Sequence, residues 1–273
     1  MTKPGTQSSK SPQSICFIVA TLNCEGVLHK TIDSIIKQMH PCDHLIIKDG
    51  ESNDQTIDIA KQFDNEINMT ILSIPDTGIY AAWNQALVHN KNEWVTFVGA
   101  GDILADSYRE EMSVLLDGSQ KKLNFISHRG TLYLDDKRNG EPVLLRSIGH
   151  GYEERSFTRQ MKIFHPGALH HHSLFHQDSF STKYKVVSDY HFLLKNRHKL
   201  TSAFINKELV MMEASGVSNS GLAPFIEEFS MKRDINLRST LILIVEFHYK
   251  TCKYLSFKLL DFLIHSYRSK IGS

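Results

Sequence analysis

Five polar residues, Thr21, Asn23, Asp49, Asp76 and Asp102, each follow a short apolar run in the 273-residue chain. Carboxylates can hold a divalent cation or accept hydrogen bonds from a nucleobase or sugar, and hydroxyl and amide groups complete such a pocket. Local pattern alone leaves two readings of Asp76 and Asp102 in balance: a nucleotide and metal site, or solvated loop aspartates. The DG and ESND steps around Asp49 are equally good turn formers. Position separates the readings. All five residues fall at the carboxyl ends of successive expected strands, where open α/β sheets hold their ligands.

The elements that must position them are legible as alternating patterns. Residues 15–20 (ICFIVA), 44–48 (HLIIK), 69–74 and 94–98 read as strands. The first is a continuous apolar run, as expected for a parallel strand covered on both faces. A helix is expected over 26–39 with Leu28, Ile32, Ile35 and Ile36 inward. A second follows Asn53 or Asp54 as cap, and a third spans 80–88 with Trp83 and Leu87 on one face. This β-α-β alternation predicts an α/β fold with a mostly parallel central sheet flanked by helices. Residues 121–133 suggest further strands, 135–140 a turn, and 146–159 carry no clear signal. The three histidines His170 to His172 would alternate faces on a strand and could not share one ion. A solvated or half-buried patch is the expectation there.

Composition narrows the classes. A net charge of +1 gives no support for nucleic acid as partner. Cys16, Cys24, Cys42 and Cys252 show no CxxC pair, so neither a zinc site nor a disulfide frame is indicated, and free thiols suit a cytoplasmic protein. No apolar run approaches the roughly 20 residues of a membrane span. Residues 1–13 are polar, lack the apolar core of a signal peptide, and read as a disordered tail. ATLNCEG stands where a dinucleotide fold needs GxGxxG after its first strand, and Walker and GxSxG motifs are absent.

The segments IVATLNCEGVLHKTIDSI, LIIKDGESNDQT, IPDTGIYAAWNQAL and WVTFVGAGD together resemble a family 2 inverting glycosyltransferase of the GT-A fold, in its bacterial polysaccharide-assembly branch. The resemblance is strong over about residues 14–110 and continues weakly to about 195. It implies a catalytic domain over 14–223 and transfer of a sugar from a nucleotide-sugar donor, UDP-linked, to a glycan or lipid-linked acceptor in capsule, O-antigen or exopolysaccharide synthesis. Asp49 would bind the base, with Thr21, Asn23 and Glu25 lining the base and ribose pocket. Asp76, Gly78 and Asn84 would hold nucleotide or donor sugar. Asp102 would hold Mn²⁺ or Mg²⁺ at the last position of the family's DxD motif, with His165 nearby at a recurring histidine. Its first carboxylate is replaced by Ala100, and Ile74 and Thr77 replace usual charged residues. Asp189 of SDYHF would be the base that takes the acceptor proton, ionised near neutrality by a helix N-terminus.

Two other classes stand beside this one. A nucleotidyltransferase would normally carry a basic Gly-rich loop after the first strand, which is missing. A degenerate, nucleotide-binding partner subunit would account for the reduced metal motif. Residues 224–273 form a separate helical segment in this reading. Leu241, Val245, His248, Cys252, Leu255, Leu259 and Phe262 repeat in steps of four and three, opposite Lys250, Lys253 and Lys258 with Tyr254 and Phe257. Such a helix suits peripheral attachment to the inner face of the cytoplasmic membrane, or packing on its own domain with a solvated basic face.

Overall fold

The computed structural model describes residues 13–64, 67–118, 122–135, 142–214 and 221–271. The expected tail, apart from Gln13, and most of the 135–140 turn lie outside them. Strands β1 (Ile15–Thr21), β2 (His44–Asp49), β3 (Met69–Ser73) and β4 (Trp94–Gly99) pair in parallel in the order β3-β2-β1-β4. Helices α1 (Leu28–Ile36), α2 (Thr56–Lys61) and α3 (Ile79–Leu87) make the crossovers. Alternation along β1 shows why its run is continuous. Ile15, Phe17 and Val19 enter one core with Ile32 and Ile35, whereas Cys16 and Ile18 enter a second with Trp83 and Phe97.

Beyond β4 the sheet becomes mixed. β5 (Ile103–Leu104), α4 (Tyr108–Gly118), β6 (Phe125–Asp135), β7 (Pro142–Ile148), α5 (Glu154–Phe157), β8 (Phe164–His171), α6 (Ser188–Asn196) and β9 (Ser202–Glu213) follow in turn. β8 runs antiparallel between β4 and β6, β9 runs parallel to β6, and β5 and β7 pair antiparallel with β9 and β6. Thus 146–159, without a clear signal in sequence, holds the end of β7 and all of α5, whose Phe157 is buried.

The histidine run corrects one expectation. His170 is wholly buried, against Phe97 and Phe125 at 5.6 and 5.0 Å, because it takes the inward face of β8. His171, on the other face, is half-buried against Trp94.

Two C-terminal helices complete the chain, α7 (Ala223–Asp234) and the 32-residue α8 (Thr240–Ile271), about 48 Å long at 1.5 Å per residue. The former is part of the second core through fully buried Met231. Its Lys232 Nζ donates to Arg159 O at 2.6 Å and pairs with Glu228 at 2.7 Å. The latter lies the other way round from the own-domain packing considered above. Leu243 is buried, Phe247 meets Phe229, Tyr254 meets Phe225, and Lys250 donates to Glu228 at 2.6 Å. From Leu241 to Leu259 the regular stripe therefore faces solvent, with Leu241 72% and Leu259 60% exposed; the side chains of Phe257 and Phe262 lie outside those described. The rings and acids that α7 offers select the aromatic and basic side of α8 in preference to its aliphatic side. No helix among the described residues is long and apolar enough to cross a membrane.

At the amino end of the sheet a buried ion pair locks β1 to β2 and α4. Asp43 accepts from Ile15 N at 2.8 Å and His40 N at 2.7 Å, and Arg109 Nη1 lies 3.2 Å from its Oδ2. Asp43→Ala leaves the Arg109 guanidinium buried without its counter-charge. It is expected to destabilise the fold by about 3–5 kcal/mol, read from urea unfolding. A loss below about 1 kcal/mol would show that the pair is not a structural lock.

Candidate active site

At the carboxyl edge of β1–β3 stand Thr21, Asn23, Glu25, Asp49 and Asp76, of which Thr21 and Asp49 hydrogen-bond each other. Asp49 is fully buried, and its two oxygens accept from four donors: Thr21 Oγ1 at 3.0 Å, Ser52 Oγ at 2.5 Å, Ser52 N at 2.9 Å and Ser73 Oγ at 3.0 Å. Burial pushes this carboxyl up, but the bonds from Ser52, Ser73 and Thr21 outweigh it and hold it below the usual range. The resemblance assigns Asp49 to the base; in the structure its lone pairs are spent inside the chain. It ties the ends of three strand connections together.

Asn23 and Glu25 are exposed and zip two loops. Asn23 Oδ1 accepts from Asn53 N at 2.8 Å, and Glu25 Oε2 accepts from Gln55 N at 2.8 Å. Asp76 stands at the rim, where its Oδ1 accepts from Gly78 N at 2.9 Å. Gly78 precedes α3 with φ 127°, a conformation that a side chain would strain. Asn84 Nδ2 donates to Phe180 O at 2.8 Å and its Oδ1 accepts from Phe180 N at 3.0 Å, so both ends tether the 176–187 loop to α3.

Next to this rim lies a cavity of about 860 Å³, with Gly78, Asp102, His165, Asp189 and Glu213 in its walls. Asp102 follows β4, is buried, and accepts from Gly99 N at 2.9 Å. Burial raises its carboxyl to about 7; the Gly99 and Glu213 N–H groups oppose that, and the Glu213 charge adds to it. Glu213 ends β9, and its Oε2 would lie 3.3 Å from a Cβ placed on Gly101. Nothing in the sequence around Glu213 pointed to it, because β9 is brought there by pairing of distant strands.

Two neighbouring carboxylates on one wall are hard oxygen donors that fit a divalent ion completed by phosphate oxygens. Among the described residues no group of three or more His, Cys, Asp or Glu is arranged to hold a metal alone. His165 is stacked on Trp83 and Phe97 at 5.5 and 5.9 Å, and its buried Nε2 has no hydrogen-bond partner among the described residues. Burial lowers it to about 3, so it is neutral.

Asp189 lines the same cavity from another element, in the first turn of α6. Its Oδ1 accepts from Tyr190 N at 2.8 Å and from Tyr80 Oη at 3.1 Å. The helix N-terminus is not the main influence on it. Burial raises its carboxyl to about 6, against the bonds from Tyr190 and Tyr80. Tyr80, whose OH also lies 2.8 Å from Val186 O, belongs to the GIY segment and its role was not foreseen. The Glu227 carboxylate of α7 accepts from the N–H groups of Lys185, Val186 and Val187 at 2.9, 2.7 and 3.3 Å, fixing the loop that delivers Asp189. Asp178, the nearby alternative carboxylate, is tied to Lys195 at 2.6 Å and Lys199 at 3.6 Å.

Comparisons with known proteins give a family and a fold. The model for Glycosyl transferase family 2 matches residues 16–178. A PGL/p-HBAD biosynthesis glycosyltransferase of Mycobacterium tuberculosis is 24% identical over 239 residues, covering 84% of this chain and 88% of its own. Glycosyltransferase GlyA of Streptococcus pneumoniae is 33% identical over 100 residues, 36% of this chain and 14% of that protein. Among solved structures, S. aureus TarS 1–349 in complex with UDP-GlcNAc has a TM-score of 0.64 at 18% identity, over 86% of this chain and 66% of that one. The mannosyltransferase PcManGT from Pyrobaculum calidifontis, solved with GDP-Man and Mn²⁺, has a TM-score of 0.60 at 14% identity, over 86% and 69%. The shared architecture is the GT-A fold.

The Asp189 environment is open to direct measurement. Tyr80→Phe removes a donor that stabilises the carboxylate, so the Asp189 midpoint is expected to rise above about 6 in a carboxyl-carbon NMR titration. An unchanged or lower midpoint would show that Tyr80 does not govern this group.

Proposed function

Because the chain belongs to glycosyl transferase family 2 and is a glycosyltransferase, we propose that it moves a sugar from a nucleotide-sugar donor, UDP-linked, to a glycan or lipid-linked acceptor with inversion at the anomeric carbon. The observation that carries this reading is that Asp102 and Asp189 enter one cavity from different elements, the end of β4 and the start of α6. An inverting displacement needs separate stations for the leaving diphosphate and for the attacking hydroxyl. The nucleotide lies across the rim of Asn23, Glu25 and Asp76, with Thr21 and Asp49 as its buried support. Its sugar passes Gly78 into the cavity.

Asp102, with Glu213, would hold a divalent ion, Mn²⁺ or Mg²⁺. When bound to the diphosphate, such an ion supplies charge neutralisation on the leaving group. His165 serves as a neutral wall beside it. On the other side Asp189 takes the proton of the acceptor hydroxyl. A carboxyl raised to about 6 is a stronger base than an ordinary aspartate and is still mostly ionised at neutral pH. Tyr80 and Glu227 hold it in place. Aromatic and aliphatic side chains around it, among them Tyr184, Val186 and Phe225, suit an acceptor with an apolar portion.

Such an acceptor is presented at the cytoplasmic face of a membrane, and the outward stripe of α8 suits peripheral contact there. Leu241, Val245, Leu255 and Leu259 are exposed on it, with Lys253 and Lys258 exposed nearby to meet anionic headgroups at about 1 kcal/mol per lysine. These features support a role in assembly of a bacterial surface glycan.

Asp189→Asn keeps shape but cannot accept the proton. Transfer is expected to fall by roughly 10²–10⁴-fold with donor affinity unchanged. In the parent enzyme the rate should rise with pH through about 6, because only the deprotonated carboxylate is active. Near-normal transfer by the variant would remove Asp189 from the mechanism.

The membrane reading is checked by co-sedimentation. Vesicles containing anionic phospholipid should retain the protein, salt should weaken retention, and Leu241→Ser with Leu255→Ser should abolish it. Equal retention by neutral vesicles, or by the double variant, would overturn it.

A further inference from the structure

Among the described residues β7 pairs with β6 alone, and its run Pro142-Val143-Leu144-Leu145 is exposed. Edge strands are normally blunted with charge, and large apolar side chains left open on a surface mark a contact.

The strand register shows where this edge leads. Gly130, Leu132 and Leu134 of β6 stand opposite Ile148, Arg146 and Val143 of β7, so these six share one face. A one-residue bulge, with Leu145 as the extra residue, brings Val143 to that face in place of Leu144. A Cβ placed on Gly130 would lie 2.2 Å from the ring of Phe164, so Phe164 covers the same face. Phe164 and Ile148 both line the cavity that holds Asp102 and Asp189. Outward from the cavity the face therefore carries Ile148, then Arg146, then Val143 beside Leu134. At about 3.3 Å per residue, Arg146 stands roughly 7 Å from Ile148 along the strand, and Val143 up to roughly 10 Å further. Val143 is 49% and Leu134 44% exposed. Arg146 is exposed as well, and its guanidinium has no hydrogen bond or ion pair among the described residues.

A guanidinium without a counter-charge, set between an apolar patch and a cavity, matches a ligand whose parts come in the same order. The saccharide lies in the cavity, an anionic phosphate meets the planar fork of arginine, and a hydrocarbon chain covers the apolar side chains. We propose that this face of β6 and β7 seats the anchor of the acceptor: Arg146 holds a phosphate that joins saccharide to lipid, and Leu134 with Val143 hold the start of the hydrocarbon. This rests on the acceptor reading given above and names its class, a saccharide linked through phosphate to a hydrocarbon chain. A bilayer or a second copy would also meet an exposed apolar edge, but neither needs the face to run on into the cavity.

The test uses the full chain and calorimetric titration with farnesyl phosphate, farnesol and inorganic phosphate as probes. The parent should bind farnesyl phosphate at least tenfold more tightly than either of the others, because both parts of the face are engaged at once. Arg146→Gln should reduce farnesyl phosphate to the affinity of farnesol and leave farnesol itself unchanged. Leu134→Thr with Val143→Thr should weaken farnesyl phosphate at least tenfold and keep the parental melting temperature, since both positions are exposed. Farnesyl phosphate should also inhibit transfer to a lipid-linked acceptor. Parental affinity in both variants would overturn this seat and leave the acceptor reading standing. Vesicle retention or self-association that the double variant loses, with farnesyl phosphate affinity intact, would assign the edge to a bilayer or a second copy and overturn the proposal. Transfer to water-soluble glycans alone, unaffected by farnesyl phosphate, would overturn the lipid-linked acceptor and its seat together.

Discussion

The carboxyl edge of the sheet depends on the hydrogen bonding of Asp49. Strand order brings β1, β2 and β3 side by side, but pairing within the sheet says nothing about how the chain leaves it. Thr21, Ser52 and Ser73 leave from three different points and converge on one buried carboxylate. A buried carboxylate left unsatisfied would cost several kcal/mol, so the three hydroxyls and the Ser52 N–H are held together as a set. The loops outside this set, zipped by Asn23 with Asn53 and Glu25 with Gln55, inherit their positions from it.

The opposite half of the site obeys a different constraint. There the walls are aromatic, and the polar groups are few and deeply set. Trp83, Phe97 and Phe180 pack against one another and around His165. Removal from water raises Asp102 and Asp189 and lowers His165, so each sits closer to its uncharged form than it would in solvent. The hydrogen-bonded rim and the aromatic-walled cavity meet at Gly78, where the chain must turn sharply into α3.

Much of this was legible in the sequence, for reasons that can be named. The parallel half of the sheet was readable because β1 is a continuous apolar run, β2 to β4 are short and mostly apolar, and the crossover helices have periodic inner faces. The bounds expected for β2 and β4 differ from those observed by one residue. Family segments pointed to Asp76, Asp102 and Asp189, and the fold puts the first beside Gly78 and the other two in the lining of one cavity. What sequence could not supply was competition between partners. Asn84 could face a ligand or a backbone, and only the fold brings Phe180, 96 residues away, to within hydrogen-bond reach. Whether the dipole of α6 or the burial of its first turn governs Asp189 depends on Tyr80 and on how deep the cavity is. Likewise, the aliphatic stripe of α8 is periodic enough to be inward, and faces outward because α7 offers acids and rings to the other side.

One consequence follows from two adjacent residues of α7. Glu227 accepts from three consecutive N–H groups of the loop before Asp189, and Glu228 binds both Lys250 of α8 and Lys232 within its own helix. Adjacent positions on a helix point about 100° apart, so one turn of α7 grips two different parts of the molecule. A shift of α7 along its axis, or a one-residue insertion before it, would displace both grips in the same step. In terms of inheritance, the wall that carries Asp189 and the angle of the long terminal helix are a single unit. A chimera that exchanges the terminal helices between relatives would have to carry residues 185–187 with them, and a cut placed at 223 would divide a joint.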